Sequence, residues 1–182
     1  MKKALGLMLF LVGVFPVSAT TDDTLVKFKG GIGVIPVSSA AGVHNANGTF
    51  PDVNPNTVRG VNPPGQIWTI ADLRAEVNVD GRIKVRGRGL LLAGGNNIGT
   101  NAGQSVFATL ICVAPDGTFT LHSTDSDDVT AGIQGVPLEA NGDFRIDDFL
   151  SPAPPNPCVG PVLLIRNTAG AWFAAGIPKH DD

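Results

Sequence analysis

One group of potential metal ligands in the sequence is an acidic cluster at Asp125, Asp127 and Asp128. Hard cations such as Ca²⁺ prefer oxygen ligands, and carboxylates at alternate positions of a loop can supply them. An EF-type loop that began at Asp125 would also need Gly at its sixth position and Glu at its twelfth, where the sequence has Thr130 and Val136. The cluster is therefore a candidate calcium site without the loop signature, and the alternative is an acidic loop that is simply solvated.

The residue patterns of common hydrolases do not occur in the chain. The nearest approach to the Gly-x-Ser-x-Gly elbow of serine hydrolases is the segment 103–107, which ends in Phe107 instead of Gly. The three histidines, His44, His122 and His180, lie far apart and show no ligand spacing. Glycoside hydrolysis needs two carboxylates that flank the scissile bond, and no pair stands out. We therefore expect no catalytic residue and no cofactor, and a secreted hydrolase is the least favoured alternative.

Cys112 and Cys158 are the only cysteines in the sequence, so a single intramolecular pairing exists. Outside the cytoplasm two such residues favour a disulfide. The bridge would close a loop of 47 residues and would stabilise the fold by about 4 kcal/mol on the chain-entropy model. The alternative is a pair of free thiols of which one is a nucleophile.

The first 19 residues have the composition of an export signal. Met1-Lys2-Lys3 is basic, Ala4–Phe15 is apolar, and Val17-Ser18-Ala19 supplies the small residues of a cleavage site, so we expect cleavage after Ala19. The apolar run is shorter than the roughly 20 residues of a membrane helix, so no membrane insertion is expected. Residues 20–182 are predicted to be a single exported all-β domain, periplasmic or extracellular, and loss of two lysines changes the net charge from −3 to −5.

The segment around Asp80-Gly81 predicts a hairpin whose register follows from its charges. A two-residue turn would set Val77 opposite Lys84 and would put a charge on the apolar face. A three-residue loop with Gly81 in the left-handed conformation pairs Val77 with Ile83 and keeps both faces consistent. The sequence therefore predicts a hairpin with a bulge loop.

Further turn signals predict more hairpins and so an all-β fold. Four hairpins and the N-terminal β-rich runs favour an antiparallel sandwich or barrel of about ten short strands joined by hairpins. The three additional turns are Ala114–Gly117, which would pair Val113 with Phe119 and Ile111 with Leu121; Glu139–Gly142, which would pair Leu138 with Phe144 and Val136 with Ile146; and Asn167–Gly170, which would join Val162–Arg166 to Ala171–Ile177.

One strand carries a basic run, Arg82, Lys84, Arg86 and Arg88. In the predicted register Lys84 faces Glu76 and Arg88 faces Asp72, so two of the four charges have acidic partners. We interpret the run as the solvated face of a strand. The negative net charge also argues against a nucleic-acid partner, which requires a concentrated basic surface.

Three segments interrupt the strand pattern: Ser38–Val58, Ala93–Gly103 and Ser123–Gly135. Loops of this length in a compact domain are functional or mobile. The second contains 94–100, which has the glycine spacing of a phosphate-binding loop but lacks its Lys, so no nucleotide site is expected.

Val58–Gly65, Gly87–Gly95 and Gly170–Ala174 resemble segments of a group of small secreted bacterial proteins. The resemblance covers turns and apolar strands, so it implies secretion and a compact fold and identifies no catalytic or binding residue. We therefore expect a secreted or periplasmic non-enzymatic β-domain, a structural or protein-interaction module of the envelope with a protein partner or self-association. The alternative is a small-molecule or Ca²⁺-binding β-barrel protein.

Overall fold

The structure is a computed structural model that describes residues 23–39, 46, 53–124 and 135–179. Within these ranges the protein is all-β, as the sequence predicts, and no helix is present. The strands of the described residues are β1 Thr24–Gly33, β2 Val37–Ser39, β3 Val53–Pro55, β4 Trp68–Thr69, β5 Asp72–Asn78, β6 Arg82–Arg88, β7 Leu91–Leu92, β8 Ser105–Val113, β9 Phe119–Ser123, β10 Val136–Pro137, β11 Phe144–Phe149, β12 Val159–Asn167 and β13 Trp172–Pro178.

Most of these strands form one curled antiparallel sheet with the order β10-β8-β12-β13-β1-β5-β6-β11. β9 also pairs with β8, next to β10 along the same edge. The far edge of the sheet returns toward this one, because β10 contacts β11 and Ser123 and Ser151 exchange backbone hydrogen bonds of 3.0 and 2.9 Å. The sheet is therefore a half-barrel, and the pairs β2–β3 and β4–β7 form two small additional ladders.

The bulge-loop register predicted for the β5–β6 hairpin is confirmed. Val77 pairs with Ile83, and Ala75 pairs with Val85. Gly81 has φ +87°, the left-handed conformation that a three-residue loop requires at this position. Side chains of both strands alternate between buried and exposed, so each strand has one face on the core and one in water.

Two of the other three predicted hairpins form with the expected partners. β8 pairs with β9 so that Val113 faces Phe119, and β12 pairs with β13 across the 167–170 turn. The third prediction is wrong in its pairing: the Glu139–Gly142 turn forms, but Val136 pairs with Val106 of β8. β11 pairs with β6 instead, because the sheet curls and the turn passes from one of its edges to the other.

The central strands of the other half of the sheet are buried on both faces. Residues 108–112 of β8 are all buried, as are Leu163, Leu164 and Ile165 of β12. The outer face is covered by the segment of residues 56–62, which we call the strap. Its backbone carbonyls accept hydrogen bonds from Trp172, whose Nε1 donates to Asn56 and whose backbone N–H donates to Asn62.

Candidate functional site

The predicted disulfide is present. Cys112 and Cys158 form a bridge with a Cα–Cα distance of 5.2 Å, and no free cysteine occurs among the described residues. The bridge connects the end of β8 to the residue before β12, so it fastens the half of the sheet that the strap covers. The alternative of a nucleophilic thiol is therefore excluded for this pair.

The candidate calcium ligands Asp125, Asp127 and Asp128 and the cleavage position Ala19 lie outside the described residues. The calcium site and the cleavage site therefore stay predictions. Elsewhere in the described chain, no group of three His, Cys, Asp or Glu side chains is arranged to hold a metal ion.

His122, the one histidine within the described ranges, is a core residue with both ring nitrogens hydrogen-bonded. It is 4% exposed; Nδ1 lies 2.8 Å from the carbonyl oxygen of Pro152, and Nε2 lies 3.0 Å from Oγ1 of Thr120. Ser105 lies in β8 and pairs with Pro137, so the segment around it is a strand and not a nucleophile elbow.

The feature that sequence reasoning missed is a row of cations across four adjacent strands. Lys29 of β1 pairs directly with Arg74 of β5, Arg74 with Arg86 of β6, and Arg86 with Arg145 of β11. All four residues are exposed on the outer face of the sheet. Since neighbouring strands lie about 4.8 Å apart, the row places four positive charges within about 15 Å.

The row belongs to a larger cationic surface, which we call the cationic face. Of the eleven lysines and arginines that follow Ala19, nine lie on it. They are Lys27, Lys29, Arg74, Arg82, Lys84, Arg86, Arg88, Arg145 and Lys179. A protein with a negative net charge thus concentrates its positive charge on one side.

Carboxylates on the cationic face neutralise only part of it. Glu76 contacts Lys27 Nζ at 4.0 Å, Asp72 contacts Arg74 Nε at 3.2 Å, and Asp147 contacts Arg82 Nη2 at 3.0 Å. The predicted pairs of Glu76 with Lys84 and Asp72 with Arg88 have the right register but do not form ion pairs. The reason is that β1 brings Lys27 to Glu76 and that Arg74 follows Asp72 on the same face of β5.

Five cations of this surface therefore have no ion-pair partner within the described residues. They are Lys29, Lys84, Arg86, Arg88 and Arg145. Two depressions border Arg86: one of about 330 Å³ lined by cations of β1, β5 and β6 together with Glu76, and one of about 410 Å³ lined by Arg88 and Arg145 together with Glu139 and Asp143. Each depression therefore has both carboxylates and cations without an ion-pair partner at its edge, and the cations are available to an anionic group.

The two remaining arginines behave differently, since both lie against aromatic rings near the strap. Arg59 in the strap donates from Nη1 to the carbonyl oxygen of Ile111 at 3.0 Å and lies 5.2 Å from the ring centre of Phe119. Arg166 donates from Nε to the carbonyl oxygen of Gly170 at 2.9 Å and lies over Phe107. Desolvation lowers the pKa of both guanidinium groups. Because both donate hydrogen bonds to backbone carbonyl oxygens, we assign these two arginines to the stability of the fold.

The sequence signal for the cationic face was partial. The run in β6 was visible, but the cations of β1 and β11 lie about 55 residues before and after it, and only the strand order brings them together. Arg145 can be placed beside Arg86 only if β11 is known to pair with β6.

The comparisons with known proteins give the chain no relative from which a function could be transferred. No helix among the described residues is long and apolar enough to cross a membrane. The chain matches no protein-family model, no curated protein and no solved structure.

Proposed function

We propose that the protein is an exported, non-enzymatic interaction module that binds an acidic segment of a partner protein on the cationic face. The observation that carries this proposal is the row Lys29–Arg74–Arg86–Arg145. Like charges directly opposite each other destabilise an antiparallel pair, by up to about 1 kcal/mol per pair. The row therefore disfavours folding of the isolated chain, and carboxylates of a partner would relieve the repulsion.

The mixture of charges on this surface supports a short acidic segment of a protein over an extended polyanionic surface. Glu76, Asp72 and Asp147 lie among the cations. A bilayer of anionic lipids or a nucleic-acid backbone would bring negative charge against these three carboxylates as well. A short acidic segment can lie along the row of four cations without facing these carboxylates, and such charge complementarity provides orientation and a fast association rate.

Export is supported by the disulfide and by the signal-like first 19 residues. A bridge between Cys112 and Cys158 suits an oxidising compartment, and the sequence before Ala19 suits secretion or the periplasm. Both lines are compatible with an envelope protein. N-terminal sequencing of the protein secreted by its own host would test cleavage after Ala19.

The binding proposal is tested with a fluorescent oligoglutamate peptide and a triple variant, Lys29→Gln, Arg74→Gln and Arg86→Gln. Fluorescence anisotropy of the mature, oxidised protein at low ionic strength should show binding. Exposed ion pairs contribute up to about 1 kcal/mol each, so the triple variant should bind at least about tenfold more weakly.

The matched control variant lowers the net charge by the same three units, with substitutions outside the cationic face. Val159→Glu, Thr168→Glu and Ala169→Glu lie at exposed positions near the two ends of β12, and this variant should keep most of the affinity. Equal loss in both variants would mean that only net charge matters, and no binding by the wild-type protein would refute an acidic partner. Tighter binding to vesicles of anionic lipid than to the peptide would replace the protein partner by a membrane surface.

A further inference from the structure

A second concave site, of about 310 Å³, lies away from the cationic face. We call it the amide cleft. Its lining includes a floor of two aromatic rings and amide side chains from four separate segments, and none of the described residues that line it is charged. The aromatic floor consists of Trp68 and Phe173, and the amides include Gln66, Asn97, Gln104 and Asn167.

The floor of the amide cleft is fixed by close packing. The rings of Trp68 and Phe173 are stacked, with centroids 4.0 Å apart and an angle of 14° between their planes. Val34 connects their strands, because its N–H donates to Phe173 and its carbonyl oxygen accepts from Trp68, each at 3.0 Å. Gly33 makes the approach possible, since a Cβ there would lie 2.2 Å from the carbonyl oxygen of Trp68.

The walls are also held in place before any ligand binds. The 94–100 loop is tied to β7 by two backbone hydrogen bonds, from Gly99 to Leu92 at 2.8 Å and from Leu92 to Thr100 at 2.9 Å. On the other side the amide of Asn167 donates to Oε1 of Gln104 at 3.4 Å. A site that is already ordered loses little conformational entropy on binding.

The chemistry of the lining selects a class of ligand. We infer that the amide cleft binds a neutral, hydroxyl-rich ligand, a sugar of one or two rings. Each amide side chain offers both a donor and an acceptor, which matches hydroxyl and acetamide groups. A charged ligand would lose water without meeting an opposite charge, which is unfavourable. The volume lies at the lower end of the range for small-molecule sites, so a short ligand fits best.

The affinity should be modest because little of the aromatic floor is accessible. Trp68 is 4% exposed and Phe173 is 2% exposed, so the stack offers a small apolar window and the amides supply most of the contacts. We expect a Kd of about 1 mM, which corresponds to about 4 kcal/mol.

The test uses two-dimensional ¹H–¹⁵N NMR of the mature oxidised protein titrated with the N-acetylglucosamine disaccharide. Trp68 lines the amide cleft, whereas the indole N–H of Trp172 donates to Asn56 at the strap. The two indole signals are therefore an internal comparison, assigned with Trp172→Phe. We expect the chemical shift of the Trp68 indole to change and to saturate with ligand concentration, and the chemical shift of the Trp172 indole to remain unchanged.

Variants and a charged analogue decide the outcome. Gln66→Ala and Asn97→Ala change exposed side chains and should together weaken binding at least fivefold, whereas Asn54→Ala, at an exposed site outside the amide cleft, should not. The deacetylated glucosamine disaccharide, which is positively charged, should bind more weakly. The inference is overturned if no shift occurs up to about ten times the expected Kd, if the charged analogue binds as well, or if the double variant binds unchanged.

Discussion

The outer face of one curled sheet is used in two different ways. On β5 and β6 buried and exposed side chains alternate, and the outer face of β1, β5, β6 and β11 carries eight of the nine cations of the cationic face. On β8, β12 and β13 successive residues are buried, and the outer face lies under the strap. Arg59 of the strap lies over the ring of Phe119, and Arg166 of β12 lies over the ring of Phe107. We call this second surface the covered face.

The difference separates what stabilises the fold from what is available to a partner. The covered face has hydrogen-bonded arginines, apolar runs and the disulfide. The cationic face has directly opposed like charges that a stable isolated fold does not need. Substitutions on the covered face should therefore reduce stability more than binding, whereas substitutions on the cationic face should reduce binding more than stability.

The largest expected effect is loss of the disulfide at the covered face. Replacing both cysteines, Cys112→Ala and Cys158→Ala, should lower the free energy of unfolding by about 4 kcal/mol, because the bridge restrains a long loop of the unfolded chain. Urea unfolding of the two proteins measures this. A loss below about 1 kcal/mol would show that the covered face does not depend on the bridge.

A matched pair of arginine substitutions compares the two faces directly. Arg166→Ala removes hydrogen bonds to Gly170 and Thr109 and the contact with Phe107, so we expect a loss of about 2 kcal/mol. Arg86→Ala on the cationic face should change stability by less than about 0.5 kcal/mol. If both variants lose the same stability, the distinction between the faces is wrong.

A smaller effect should appear when the cation row is interrupted. Arg86→Thr removes repulsion from Arg74 and Arg145 and introduces a good strand former, so it should raise the free energy of unfolding by about 0.5 kcal/mol at low ionic strength. The gain should shrink in 0.5 M salt because screening weakens the repulsion (about 4 Å Debye length). Destabilisation at low salt would mean that Arg86 supports the fold.

The smallest effect concerns the β8–β9 turn next to the covered face. Hydrogen bonds from the hydroxyl and backbone N–H of Thr118 hold the pKa of Asp116 below its usual value. A carboxylate with a lowered folded-state pKa stabilises the protein above its unfolded-state pKa, and this contribution is lost as the pH falls through the folded-state value. Thr118→Val should raise the pKa of Asp116 in an NMR titration, and an unchanged pKa would assign the shift to the backbone alone.

Local pattern was sufficient to predict the all-β fold, the registers of the β5–β6 and β8–β9 hairpins and the pairing of β12 with β13, and the count of two cysteines predicted the disulfide. Alternation and the left-handed glycines, such as Gly81, determine the hairpins within about ten to fifteen residues of chain. The pairing of β11 with β6 was not predictable in this way, because it depends on how the whole sheet curls. The cationic face depends on that pairing, because it brings Arg145 next to Arg86.

The amide cleft shows the same limit. Its loop 94–100 has the glycine spacing of a phosphate-binding loop but lacks the Lys, so the sequence pattern does not identify it as a binding site. Its other walls come from Gln66, Gln104 and Asn167, which are separate in sequence. Neutral amides have no spacing signature, so only the folded arrangement shows that they converge.

The most direct test of the account is to map where an acidic segment binds. In a ¹H–¹⁵N NMR titration of the mature oxidised protein with oligoglutamate at low ionic strength, we predict that backbone amide shifts concentrate in β1, β5, β6 and β11, with Lys29, Arg74, Arg86 and Arg145 among the residues that move most. The chemical shifts of the backbone amides in β8 and β12 should not change. Shifts that centre on the covered face, or that spread evenly over both faces, would contradict the assignment of the cationic face as the binding surface.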